Sequence, residues 1–219
     1  MEGVWFAGQF PSEGLMCRPC RMVPPGFERA VAFAAFDDEL REMIHLLKYE
    51  RLRTVAEVLG WQLAEAMKMQ RSSLPEGAVV VAVPLFRAKL RQRGYNQAEL
   101  LAAAAVKSLR RSDPEWKLSE EHGALARVKD TQSQYMLTPS GRRRNLEGAF
   151  QVMKPEAVTG RDVLLIDDIY TSGATSRACT AALKRAAARR VYVVTLSRAQ
   201  PEMVARWQTG AARDVEAWS

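Results

Sequence analysis

Residues 163–175 read Val163-Leu164-Leu165-Ile166-Asp167-Asp168-Ile169-Tyr170-Thr171-Ser172-Gly173-Ala174-Thr175. Four apolar residues bounded by turn signals read as a buried parallel strand. Two adjacent carboxylates stand where that strand is expected to end. A loop of small hydroxylated residues around Gly173 follows, and then an apolar-periodic segment, Thr175 to Ala188, that reads as a helix. Backbone N–H groups of such a loop, together with a helix N-terminus, can hold a phosphate. Gly173 permits positive φ and close backbone approach, and Thr171, Ser172 and Thr175 can donate hydroxyl hydrogen bonds. The carboxylates would repel the phosphate, so they must serve another part of the ligand, and a vicinal diol is a suitable partner for them.

This combination resembles the PRPP-binding motif of type I phosphoribosyltransferases, on Asp167, Asp168, Thr171, Ser172, Gly173, Ala174 and Thr175. The resemblance implies an α/β fold with a parallel sheet flanked by helices. It also implies that the acidic pair holds the ribose hydroxyls of 5-phosphoribosyl-1-pyrophosphate while the loop cradles the 5-phosphate. No Gly-Lys-Ser/Thr follows the loop and no G-x-G-x-x-G occurs, so neither a Walker A motif nor a dinucleotide fingerprint is present. Without the resemblance, the stretch also fits an ordinary strand–turn–helix with a solvated acidic corner.

The 219 residues allow one α/β domain with an appendage, or two small domains. An apolar content of 47% is enough for a proper core, and a formal charge of +7 suits anionic ligands, either phosphates or nucleic acid. No apolar run approaches the roughly 18–20 residues of a membrane span, and Met1 to Trp5 lacks the basic and apolar regions of a secretory signal. Three cysteines do not make a disulfide framework. A cytoplasmic protein is expected.

Residues 1–30 read as irregular. Cys17 and Cys20 have the spacing of one zinc knuckle, but a structural zinc wants four ligands. Cys179, His45 and His122 are the other thiol and imidazole groups, and no second pair exists. From Asp37 the pattern is helical, with Leu40, Met43, Ile44 and Leu47 on one face and Asp37 or Asp38 as cap. Thr54 to Glu57 reads as a capping box opening a second helix, whose apolar face is Val55, Val58, Leu59, Leu63, Ala66 and Met67. Ala78 to Val83 reads as a buried strand ended by Pro84. A basic loop follows, with Arg87, Lys89, Arg91 and Arg93 within seven residues, leading to a helix capped by Asn96. A basic loop after a buried strand is the place to receive a second phosphate in an open α/β sheet; a solvated charge run is the competing reading. Leu125 to Val128 and Ala149 to Met153 read as short strands, and Val191 to Leu196 as a last one. Between them, residues 129–147 are polar and carry Arg142, Arg143 and Arg144, which suits a lid over an anionic ligand.

With these pieces in order, the chain resembles the ComF family, phosphoribosyltransferase-like proteins associated with bacterial competence. The matching pieces are the Cys17/Cys20 pair, the helix ending Leu47-Lys48-Tyr49, Val83-Pro84-Leu85, Arg93 to Leu101, Arg127 to Gln132, Arg142 to Phe150 and the acidic-pair motif, over about residues 15–199. Members commonly carry two C-x-x-C pairs in an N-terminal zinc ribbon. Val4 to Gly8 has no cysteine, so a degenerate, shortened or metal-free ribbon over residues 1–30 is expected, ahead of the α/β domain (31–199) and a tail (200–219). The resemblance implies Mg-dependent transfer of a phosphoribosyl group. Arg87, Lys89, Arg91 and Arg93 are then candidates for the pyrophosphate side and Arg142 to Arg144 for the lid. No base for an acceptor is evident. It equally implies a non-catalytic role in DNA uptake, with single-stranded DNA and a helicase as partners.

Overall fold

The computed structural model describes residues 24–130, apart from 51 and 75, and 145–199, together with the backbone of 4–6 and residues 20, 22 and 141. Six parallel strands form one sheet in the order β1–β2–β8–β7–β3–β4. They are β1 (Val4–Phe6), β2 (Arg29–Ala35), β3 (Ala78–Ala82), β4 (Leu118–Glu120), β7 (Asp162–Tyr170) and β8 (Arg190–Arg198). An antiparallel pair, β5 (Leu125–Arg127) with β6 (Phe150–Val152), stands apart as a small hood. The helices are α1 (Asp38–Lys48), α2 (Val55–Lys68), α3 (Arg87–Arg93), α4 (Gln97–Ser112), α5 (Pro155–Val158) and α6 (Ala174–Arg185). The expected parallel sheet flanked by helices is the fold.

Alternation along the central strands builds two cores. Val80, Leu164, Ile166, Tyr192 and Val194 face α1, α2 and α4, while Val79, Val81, Leu165, Val191 and Val193 face α6 and the hood. Both faces of these strands are therefore buried, which is why they read as continuous apolar runs. The path from β3 carries α4 over one face to reach β4, and the path from β7 carries α6 over the other to reach β8. The chain thus diverges between the carboxyl ends of β3 and β7. In an open α/β sheet such a divergence opens a crevice above the strands, where ligands bind.

The central strand does not end at the acidic pair. It runs nine residues to Tyr170 because β8 stays paired with it as far as Tyr170↔Arg198. On the other side, β3 leaves after Ala82↔Ile166, just ahead of Pro84. Asp167 and Asp168 thus stand on a strand held on one flank and open on the other. Three further expectations are corrected. Val4–Phe6 pairs with β2 instead of lying in an irregular segment. The basic segment after β3 is a two-turn helix, α3, stopped by Gly94 at φ 84°. Thr54 adopts helical angles and makes no side-chain cap, because Glu57 reaches across to Lys107 on α4, Oε1 to Nζ 3.0 Å, instead of back to the helix start.

The apolar face of α2 is the expected one at Val55, Leu59, Leu63, Ala66 and Met67, and departs from it at Val58. Val58 is exposed, whereas Gly60 is buried against Ala104 of α4, where a Cβ would overlap the alanine methyl. The other helix caps follow the sequence. Asp37 Oδ1 accepts from the Leu40 amide at 2.8 Å, and Asn96 Oδ1 accepts from the Ala98 amide at 3.1 Å while its Nδ2 donates to the Val83 carbonyl at 3.0 Å. Asn96 thereby ties the start of α4 to the end of β3.

Candidate functional site

Adjacent residues on a strand point to opposite faces, so the two carboxylates enter different surroundings. Asp168 faces α1 and α4. Its Oδ2 accepts from Lys48 Nζ at 2.8 Å and from Gln97 Nε2 at 3.0 Å, and both members of the ion pair are nearly buried. Asp167 faces the hood and α6, and its Oδ1 accepts from the Asp168 amide at 2.9 Å. Burial, and then the neighbouring Asp168 carboxylate, push the Asp167 pKa well above the usual carboxylate range, against the pull of Lys48 and Arg127. Of the two consecutive carboxylates, Asp167 therefore takes its charge reluctantly.

The strand leads into an anion-type turn. Gly173 caps α6 in the left-handed region, φ 71°, and Thr171, Ser172, Ala174 and Thr175 surround it. Ser172 Oγ is buried with no hydrogen-bond partner among the described residues. A buried hydroxyl left unmet at a helix start is a donor in search of an acceptor. The helix dipole and first-turn amides favour an anion at the same point.

The basic side comes from three elements. On α3, Arg87 and Arg91 lie on the exposed surface. Lys89 is also exposed, but it lies in range of Arg127, Arg93 and Lys48, whose charges, after partial burial, lower its pKa. Arg93 donates to Gln97 Oε1 and packs over the Tyr49 ring, 5.3 Å from its centroid. From the hood, Arg127 is half-buried beside Asp167, Asp130 and Cys179, and burial pulls its pKa down. The bridge between Phe86 and Arg127 fastens the hood to the segment before α3.

The structure thus brings together Asp167, Asp168, the Thr171–Thr175 turn, Lys89 and Arg93, and leaves Arg87 and Arg91 outside on the rim. Three residues of the site lie outside the candidates chosen from sequence: Lys48, Gln97 and Arg127. Each belongs to a motif quoted above, but nothing local marks a lone lysine at a helix end as the partner of a distant aspartate. Tyr95 has a structural part, its hydroxyl donating to the Leu47 carbonyl at the end of α1. Arg142, Arg143 and Arg144, Cys17 and the tail lie outside the described residues. Cys20 is buried against α6, with Arg177 Nη2 3.7 Å from its sulfur. No cluster of metal ligands occurs among the described residues, and no helix among them is long and apolar enough to cross a membrane.

Known proteins share this arrangement of sequence. The DNA utilization protein YhgH of Escherichia coli K12 is 32% identical over 188 residues, covering 84% of this chain and 78% of that protein. The YhgH of Salmonella typhi is 31% identical over 186 residues, with the same coverage of each chain. The chain belongs to the ComF family. Competence protein F of Haemophilus influenzae is 28% identical over 188 residues. No family model matches the chain. In this member of the ComF family, the acidic pair and its turn lie within a sheet whose topology opens a crevice at that point.

Proposed function

We propose that the crevice binds a 5-phosphoribosyl diphosphate and that the protein transfers the phosphoribosyl group. One observation carries the reading: a two-carboxylate strand end runs directly into a glycine-capped helix start bearing the unsatisfied Ser172 hydroxyl, all ringed by cations. In this reading Ser172 Oγ and the turn amides donate to the 5-phosphate. Asp167 and Asp168 accept from the ribose hydroxyls and lie near the ring, where positive charge develops as the C1–oxygen bond breaks. Lys89, Arg93 and Arg127 face the diphosphate. The donor set fits Mg²⁺ only in part: Asp168 Oδ2 is taken by Lys48 and Gln97, leaving Asp167 as the carboxylate that would hold the ion. Bound there with the diphosphate, Mg²⁺ would stabilise charge on the leaving group.

Calorimetry with PRPP and Mg²⁺ tests the reading. Saturable binding that the Asp167→Asn/Asp168→Asn double variant loses is the expected result; a folded wild type that binds no PRPP overturns it.

A second reading rests on the relatives named as DNA utilization and competence proteins and on the exposed cations of α3. In it the protein works in the cytoplasm on single-stranded DNA, with a helicase as partner, and the pocket serves as a ligand site without turnover. Release of pyrophosphate from PRPP in the presence of candidate acceptors separates the two.

A further inference from the structure

Lys48 ends α1 and reaches under the sheet edge to a carboxylate that the phosphoribosyl reading assigns to the ligand. The pair measures 2.8 Å, with side chains 13% and 8% exposed. A buried ion pair persists only when geometry and neighbours support it, and here the neighbours do. Gln97 donates to the same Asp168 oxygen, and its own carbonyl is held by Arg93. The backbone on either side of the lysine is anchored: Tyr95 donates to the Leu47 carbonyl, and Arg93 covers the Tyr49 ring. The C-terminal end of a helix is also a favourable place for a cation.

These contacts fix a positive charge against the acidic pair before any ligand arrives. Mg²⁺ sheds water reluctantly and demands near-octahedral oxygen donors, so an ion approaching Oδ2 of Asp168 would have to displace an ammonium already hydrogen-bonded there. Lys89, Arg93 and Arg127 lie around the same crevice, and burial, followed by the charges of Arg127, Arg93 and Lys48, lowers the Lys89 pKa.

Building on the phosphoribosyl reading, we propose that Lys48 is the resident counter-ion of the crevice. It holds the Asp168 carboxylate in place, and it supplies the fixed positive charge that a divalent cation would otherwise bring. A phosphoribosyl diphosphate therefore binds with or without Mg²⁺. Lys48 is a positioning residue in this account, acting on the ligand through Asp168.

The test is calorimetric titration of the full chain with PRPP, once in EDTA and once in Mg²⁺, for wild type, Lys48→Met and Lys48→Arg. The proposal expects wild-type affinities within about threefold of each other in the two buffers. It expects Lys48→Met to bind at least about tenfold more weakly in EDTA, to recover most of the loss in Mg²⁺, and Lys48→Arg to stay near wild type. Wild-type binding that vanishes in EDTA but is normal in Mg²⁺ overturns the counter-ion role and leaves the phosphoribosyl reading standing. A folded Lys48→Met variant that binds like wild type in EDTA does the same. Absence of PRPP binding by wild type in both buffers overturns the phosphoribosyl reading and the role of Lys48 with it. Should Lys48→Met fail to fold by circular dichroism, the wild-type comparison and Lys48→Arg still decide the matter.

Discussion

The Tyr170 ring fills the space where a Cβ on residue 173 would stand, its hydroxyl and Cζ both well inside contact distance of that point. Gly173 also sits at φ 71°. The turn at the start of α6 therefore tolerates no side chain, for two separate reasons. Gly173→Ala is expected to cost about 1–3 kcal/mol of stability and to weaken PRPP binding by more than about tenfold. Gly94 is the natural control, since it has φ 84° with open space around its missing Cβ. Gly94→Ala should show the backbone cost alone, about 1 kcal/mol. Thermal denaturation and calorimetry on both variants separate strain from overlap. Equal losses at the two positions would mean that the Tyr170 contact is inconsequential.

Asp167 is held above the usual carboxylate range by burial and by Asp168. A group whose folded pKa is raised contributes stability that is fully present below its unfolded pKa and lost as pH rises through the folded value. Ionised Asp167 is thus a burden on the fold, which the proposed contact with the ligand would account for. Asp167→Asn should raise the melting temperature more at alkaline than at mildly acid pH, while abolishing PRPP binding. Wild-type affinity should strengthen with pH as Asp167 ionises, and a flat affinity profile across that range would contradict the assignment of Asp167 to the ligand.

At the opposite end of the same strand, two guanidinium groups share one buried carboxylate. Asp162 accepts from Arg189 at 2.9 and 2.7 Å and from Arg190 at 3.1 and 2.6 Å. Burial alone would raise its pKa, but the hydrogen bonds from Arg190 and Arg189 outweigh it and bring the value down to about 2. A depressed carboxylate contributes stability above its unfolded pKa, and that contribution is lost as pH falls through the folded one. A shift of this size corresponds to about 2–3 kcal/mol. Asp162→Asn should lose about this much at neutral pH and converge on wild type near pH 2, as read by urea denaturation across the acid range.

What the sequence disclosed follows from how local each determinant is. β3, β7 and β8 are legible because strands buried on both faces are apolar without interruption. β2 is not, since Arg-Ala-Val-Ala-Phe-Ala-Ala is rich in alanine, a poor strand former, and forms a strand because β1 and β8 flank it. The acidic pair, its turn and the Asn96 cap are local patterns and were found. The open flank beside Asp167 and Asp168 depends on β3 leaving β7 at Ile166 while β8 stays paired to Tyr170, which no stretch of either strand states alone. Lys48 and Gln97 escaped notice for the same reason. Their roles exist only once α1 and α4 converge on β7, with Gln97 71 positions from Asp168.

Arg87 and Arg91 lie on the exposed face of α3, at the rim of the crevice and away from its floor. If the second reading holds, they are phosphate contacts for single-stranded DNA, and their loss should leave the pocket intact. For single strands each neutralised phosphate contributes about 0.7 to the slope of log affinity against log salt. The double variant Arg87→Ala/Arg91→Ala should therefore flatten that slope by up to about 1.4 and weaken DNA binding most at low salt, with PRPP affinity unchanged. Fluorescence anisotropy with a labelled oligonucleotide over a salt series provides the slope, and calorimetry provides the PRPP control. A variant that loses PRPP and keeps DNA would place these arginines on the diphosphate side instead. An unchanged slope with unchanged PRPP affinity would remove α3 from both interfaces.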